Sequence, residues 1–349
     1  MGLSNSPSGS TGETALRVYE AGVDTLRELF SIDSKHDQRL AESVCGAGRI
    51  APEPVAGARL GFMPGHELLW VEGRAAPALG QDGLLPPDAL ADVHGERLRA
   101  LRSLGFWGPR EEGVARLDAT VGLRFGDRTE GLAVLYGIAA LDVPYRKPAL
   151  YGRPPETVYL LTRRGRVMER VYDKGLESNS AARGQEIRLE AQVRFPSGHR
   201  RRASEWTTSD VRGRFAMKFG AMGKAADGIT VATEHGIAQK LAALECDGAV
   251  TRRQAELLMG HLLAERVGLR RAKATRWRRR AELRRLGLAQ ALDGVDHGVE
   301  IELGAVLEEA LTAGVWDAPS PASTAGQLSA IPNPIRRDRP SKSPPSRLD

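Results

Sequence analysis

Three stretches of this chain alternate apolar and polar side chains with period two, and few folds accept that pattern. From Arg116 to Phe125, Leu117, Ala119, Val121, Leu123 and Phe125 form one side, and Arg116, Asp118, Thr120 and Arg124 form the other. The stretch from Ile187 to Phe195 repeats it, with Ile187, Leu189, Ala191, Val193 and Phe195 set against Arg188, Glu190, Gln192 and Arg194. Between them, residues 156–162 and 167–174 read as a hairpin around the turn Arg163-Arg164-Gly165-Arg166. Successive strand side chains point to opposite faces, so each strand has one face for a core and one for water. An α+β fold follows: an antiparallel sheet with helices packed on one face.

The polar sides are chemically selective. In Arg170-Val171-Tyr172-Asp173-Lys174-Gly175-Leu176-Glu177, a strand running into a turn puts Arg170, Tyr172 and Lys174 on one face. Two cations beside a tyrosine suit a phosphodiester: they hold the phosphate and favour a phenolate that can attack phosphorus. The same three residues also read as an ordinary solvated face. If the strands are neighbours, Asp118 and Glu190 join this surface with Arg116, Arg188 and Arg194, which would contact DNA. Two carboxylates among arginines suggest one divalent cation, Mg2+ or Mn2+, held by hard oxygen ligands. Glu177 is a third ligand or an orienting partner for Lys174. The alternative for both acids is cross-strand salt bridges with Arg116 and Arg188.

The chain has 349 residues and a net charge of +6, enough length for two domains and a balance that favours polyanionic partners. Cys45 and Cys246 belong to no CxxC motif, which implies a reducing compartment. No apolar run is long enough to span a membrane, and the N-terminus lacks a signal core, so the bacterial cytoplasm is expected. Residues 1–13 are expected to be disordered. A first domain then covers 14–222. It has a strand from Gly22 to Ile32, a loop-rich stretch over 33–55 and two short strands around Pro64-Gly65 within 58–72. Helices are expected over 86–105, with Asp88 as cap, and over 129–141, with Thr129 near the start.

A second domain is expected over 223–316, with a helix at 225–247. Between Thr251 and Arg285 stand twelve Arg or Lys and three Glu. One helix opens at Thr251 and buries Leu257, Leu258, His261 and Leu262; Gly268 breaks it. A second helix places Trp277, Ala281 and Leu283 among the cations. Helix, break and basic helix outline a helix-turn-helix or winged-helix reader, with Arg271, Lys273, Arg276, Arg278, Arg279, Arg280 and Arg284 on DNA. An arginine-rich segment for RNA is the alternative. Residues 298–313 supply a strand-like piece and a closing helix, and 317–349 a disordered tail.

Taken in order, Ala115-Arg116-Leu117-Asp118, Thr157-Val158-Tyr159, the run from Arg170 to Glu177 and Ile187-Arg188-Leu189-Glu190 resemble rolling-circle replication initiators. The type is Rep_trans, carried by small plasmids and related to initiators of some filamentous phages. The resemblance covers roughly residues 112–220. It implies an HUH-like fold, a divalent metal and a tyrosine that nicks one origin strand and stays on the 5′ phosphate. Carried over, Tyr172 is the nucleophile, and Asp118 and Glu190 are the ligands. Origin DNA, single- and double-stranded, is the implied partner, with host helicase and polymerase; a homodimer is expected. Two departures stand out. No His-x-His occurs, so the metal site is of the carboxylate kind, and the Gly-Ser pair expected near 161–166 is missing. Tyr159 is a competing nucleophile. A DNA-binding regulator without catalysis is the second reading.

Overall fold

Two fifteen-residue strands form the spine of the computed structural model, which describes residues 16–46, 50–51, 57–152, 154–162, 165, 167–267, 269, 272–291, 295 and 298–317. In chain order the first elements are β1 (Arg17–Ser31), α1 (Lys35–Cys45), β2 (Arg59–Met63), β3 (Leu68–Arg74) and α2 (Leu90–Ser103). Next come β4 (Arg110–Arg124), α3 (Arg128–Ala140), β5 (Lys147–Tyr151), β6 (Thr157–Leu161), β7 (Val167–Asp173), the single turn α4 (Lys174–Glu177) and β8 (Glu186–Arg194). The last third holds α5 (Thr208–Ala226), β9 (Thr230–Ala232), α6 (Glu234–Cys246), α7 (Arg252–Arg266), α8 (Lys273–Arg285), β10 (Leu288–Gln290), β11 (Glu300–Glu302) and α9 (Leu303–Thr312).

Eight strands pair antiparallel in the order β2-β3-β1-β4-β8-β7-β6-β5. The three alternating stretches are therefore adjacent, as β4, β8 and β7. Leu117, Ala119, Val121, Leu123, Ile187, Leu189, Ala191 and Val171 all lie in one core with α3 and α5. Each of the Leu, Ile and Val side chains contributes about 1.5–3 kcal/mol through burial. Helix α3 is apolar nearly all round and is buried nearly all round. Its start is fixed by a capping box: Thr129 N–H donates to Asp127 at 2.6 Å and Asp127 N–H to Glu130 at 3.2 Å. Gly131 lets this helix lie against the Gly184 carbonyl. A second apolar cluster, including Phe30, Phe62, Leu69 and Leu101, gathers α1 and α2 against β2 and β3.

Several expectations change. The stretch 33–55 contains α1, started by Ser34, whose hydroxyl accepts from Asp37 N–H at 2.9 Å. Asp88 does not cap α2; Ala89 precedes that helix, and Asp88 sits in a short 3-10 turn. The boundary expected at 222/223 falls within α5. A wing would need β10 and β11 paired with each other, but β9 lies between them, parallel to β10 and antiparallel to β11. The winged-helix expectation is therefore corrected. Residues 1–13, Arg163, Arg164, Arg166, Arg271 and the tail beyond Asp317 lie outside the described residues. No helix among the described residues is long and apolar enough to cross a membrane.

Candidate functional site

The face of the sheet opposite α3 and α5 carries polar residues in register. One row across the strands runs Gly22, Thr120, Glu190, Arg170, Tyr159 and Ala149. The next runs Glu20, Gly122, Arg188, Tyr172, Thr157 and Tyr151. Asp118 faces Gln192 and Arg116 faces Arg194 across the same β4–β8 seam. The first row, with the Asp118–Gln192 and Arg116–Arg194 pairs, floors a groove of about 580 Å³ lined by Arg116, Asp118, Tyr159, Arg170, Glu190 and Arg194, among others. Asp118 and Glu190 are diagonal neighbours across one strand pair.

The floor is more buried than a solvated face would be. Asp118 is 1% exposed and Glu190 5%. Each acid has an arginine: Arg116 forks onto Asp118 through Nε at 2.9 Å and a terminal nitrogen, and Arg170 donates to Glu190 at 2.5 Å. Glu190 thus takes Arg170 as its partner, where the expected alternative drew on Arg116 and Arg188. Arg188 turns instead to Glu20 at 2.5 Å and stands 3.7 Å from Asp24. It reaches Glu20 across Gly122, where a Cβ would meet Glu20 Cγ at 2.6 Å. Arg194 Nε donates to Gln192 at 3.0 Å. Burial pushes the Asp118 carboxyl up to about 7 against the pull of Arg116, and repulsion from Glu190 and Asp24 adds to it. Burial raises Glu190 as well.

The two tyrosines are placed differently. Tyr172 is 3% exposed, with the Arg170 guanidinium 4.1 Å from its ring centre. Burial, then repulsion from Glu190, holds its phenol well above the usual range. The expectation of an open Tyr172 is corrected: the ring belongs to the polar rows by register, yet Arg170 covers it. Tyr159, in the row with Arg170 and Glu190, lines the groove. Tyr151 packs on it edge to face at 5.1 Å.

Lys174 does not share the strand face. Asp173 ends β7 by accepting from Leu176 N–H at 2.9 Å and Gly184 N–H at 2.8 Å, which turns the chain into α4. Lys174 then pairs with Glu177 at 2.7 Å. Glu177 is accordingly an ion-pair partner of Lys174 and does not line the groove with Asp118 and Glu190.

The groove carries oxygen donors of the kind a hard divalent cation takes: Asp118, Glu190 and the Gln192 carboxamide, each accepting here from an arginine, while Thr120 Oγ1 is buried opposite Glu190 with no hydrogen-bond partner. Among the described residues, only Glu28, His94 and Glu111 bring three ligand atoms within 4.8 Å of one another. They lie by α2, away from the groove. His94 Nδ1 is 2.8 Å from Glu28 and its Nε2 3.6 Å from Glu111, while Arg97 donates to the other Glu28 oxygen at 2.9 Å. Glu28 raises the His94 pKa. With His94 protonated, two cations and two carboxylates balance without a metal. This cluster was missed from sequence, although a signal existed: Arg97 interrupts the stripe Leu90, Val93, Leu101, and an arginine inside an apolar stripe demands a buried acid.

In the basic helices, Leu258, His261 and Leu262 are buried as expected, but Leu257 is exposed and Trp277 is 67% exposed. Arg279 pairs with Glu282 at 2.8 Å, Arg280 with Glu265 at 2.8 Å, and Arg284 donates to the Ala140 carbonyl at 3.0 Å. Lys273, Arg276 and Arg278 have no ion-pair partner among the described residues.

No protein-family model matches this chain, and no curated protein matches it. Among solved structures it is similar to a rolling circle replication initiator protein from Geobacillus stearothermophilus, at 14% identity and a TM-score of 0.27. That likeness covers 53% of this chain and 76% of the other.

Proposed function

We propose that this chain is a DNA strand transferase of the rolling-circle initiator kind, with the sheet groove as its nicking site. The observation that supports this reading is the meeting of Asp118 and Glu190 beneath Arg116, Arg170 and Arg194, with a tyrosine in the same row. The arginines hold a scissile phosphate. Asp118 and Glu190, with Gln192 and Thr120, would hold one divalent ion, whose chemistry when bound would be polarisation of the phosphate. The attacking phenol is Tyr159, because it lines the groove; Tyr172 keeps Arg170 over Glu190. The Tyr159 oxygen bonds to phosphorus as the bond from phosphorus to the 3′ oxygen breaks, and the proton the phenol loses is matched by the one the 3′ oxygen takes up. The products are a 5′-phosphotyrosine and a 3′ hydroxyl that primes synthesis. The basic helices α7 and α8 bind origin DNA.

The test is cleavage of labelled single-stranded origin DNA with Mn2+, read as a covalent adduct on a denaturing gel. Tyr159→Phe abolishes the adduct and Tyr172→Phe leaves it. An undiminished adduct in Tyr159→Phe refutes the assignment, and if Tyr172→Phe loses it the nucleophile is Tyr172. One observation favours the second reading, a DNA-binding regulator without catalysis: each groove acid already has an arginine partner. That reading requires origin binding with no adduct from any variant.

A further inference from the structure

A second concavity lies on the helix side of the sheet edge, between α8 and the turn from α3 into β5. It measures about 580 Å³, within the range of ligand sites. Lys273, Arg276, Trp277, Arg280 and Arg284 line one wall, a set of positions at helical spacing that forms a single face of α8. Arg146 and Lys147 line the other, and Asp142 is the sole acid among the described residues of the lining. Arg146 is committed to Glu169 at 2.7 Å, Arg280 to Glu265 at 2.8 Å and Arg284 to a carbonyl. Lys147, Lys273 and Arg276 are not committed among the described residues. Trp277 stands at this cleft 67% exposed.

We infer that this cleft grips an unpaired DNA strand, with phosphates on Lys147, Lys273 and Arg276 and a base stacked on Trp277. The choice of DNA rests on the function proposed above; the choice of a single strand does not. A helix reads a major groove by projecting into it. The α8 face that carries Lys273, Arg276, Trp277, Arg280 and Arg284 looks instead onto α3 and β5, so a duplex cannot enclose it. Exposed indole beside free cations is the chemistry of a single-strand platform, because every base has a π face and every linkage a charge. The cleft also adjoins the nicking groove through one edge strand. Lys147 and Pro148 of β5 line the cleft, while Ala149 of β5 pairs with Tyr159 of the groove row.

The test uses the full chain without metal and a fluorescent oligothymidylate of about 16 residues, followed by anisotropy. Trp277→Ala is expected to weaken binding about tenfold, with Trp277→Phe restoring most of it. Lys273→Gln and Arg276→Gln each lower the slope of log affinity against log salt by about 0.7. A hairpin duplex is expected to bind parent and Trp277→Ala alike. Equal oligothymidylate binding by parent and Trp277→Ala overturns the inference, as does tighter binding of oligouridylate than of oligothymidylate. Because the oligomer is not cleaved and no metal is present, loss of nicking in the groove leaves this result unchanged.

Discussion

The guanidinium carbon of Arg170 stands 4.1 Å from the centre of the Tyr172 ring, and the same side chain donates to Glu190 at 2.5 Å. One arginine therefore covers a phenol and neutralises a buried acid. Arg170→Ala removes both partners at once. It is expected to destabilise the fold by about 3 kcal/mol, mostly because Glu190 is left buried without a counter-charge. Urea denaturation measures this, and the double variant Arg170→Ala, Glu190→Gln should recover more than half of the loss. No recovery would mean that the ring contact, not the charge, dominates.

Mn2+ should stabilise the parent protein through the groove acids, independent of any cleavage. At about a hundredfold excess over Kd the gain is about 2.7 kcal/mol, visible as a rise of several degrees in Tm. Asp118→Asn with Glu190→Gln should erase the rise, and Glu111→Gln should leave it intact. The opposite result would move the metal to the cluster of Glu28, His94 and Glu111.

His94 gives stability a pH dependence. The hydrogen bond that its ring donates to Glu28 raises its pKa above the ordinary value of about 6.5. A proton bound more tightly in the folded state stabilises that state. The contribution is complete below about pH 6.5 and falls away as pH climbs through the raised folded value. Urea midpoints taken from about pH 6 to 9 should decline in the parent, and His94→Gln should flatten that part of the decline. An equal decline in both proteins would remove His94 as its source.

Gly131→Ala should destabilise despite the better helix propensity of alanine, which is worth up to about 1 kcal/mol. A Cβ at 131 would run into the Gly184 carbonyl oxygen and lie 3.1 Å from Ile187 Cγ1. The obstacle is backbone, and Gly184 is itself held at a φ of +80°. A net loss of about 2 kcal/mol is expected by thermal or chemical unfolding. A neutral result would show that α3 can shift off β8.

The sheet was legible because its signal is local. Leu117 to Phe125 and Ile187 to Phe195 carry their own inside-outside code, and the code alone puts Asp118 and Glu190 on the polar side. What could not be read depends on residues distant in sequence. Tyr172 is covered because Arg170 folds over it toward Glu190 of the next strand, and no spacing rule states that. Lys174 left the strand because Asp173 caps a helical turn, a signal that competes with alternation and won. Trp277 is apolar by type, yet its neighbours on α8 are cations, so the helix has no apolar face wide enough to bury it. Strands β5, β9 and β10 are short and defined by what they pair with. They leave no periodicity to find.

The small sheet has one more bearing. Strand β9 precedes helices α6 to α8 and β10 follows them, and the two lie side by side, with Val231 and Ala289 both in the main core. The basic arm is thus a loop sewn shut at its base rather than a lobe on a stalk. Under the function proposed above, a strand held there and one held over the groove would rest on two surfaces of one continuously paired fold, and any slack between them would come from the polymer.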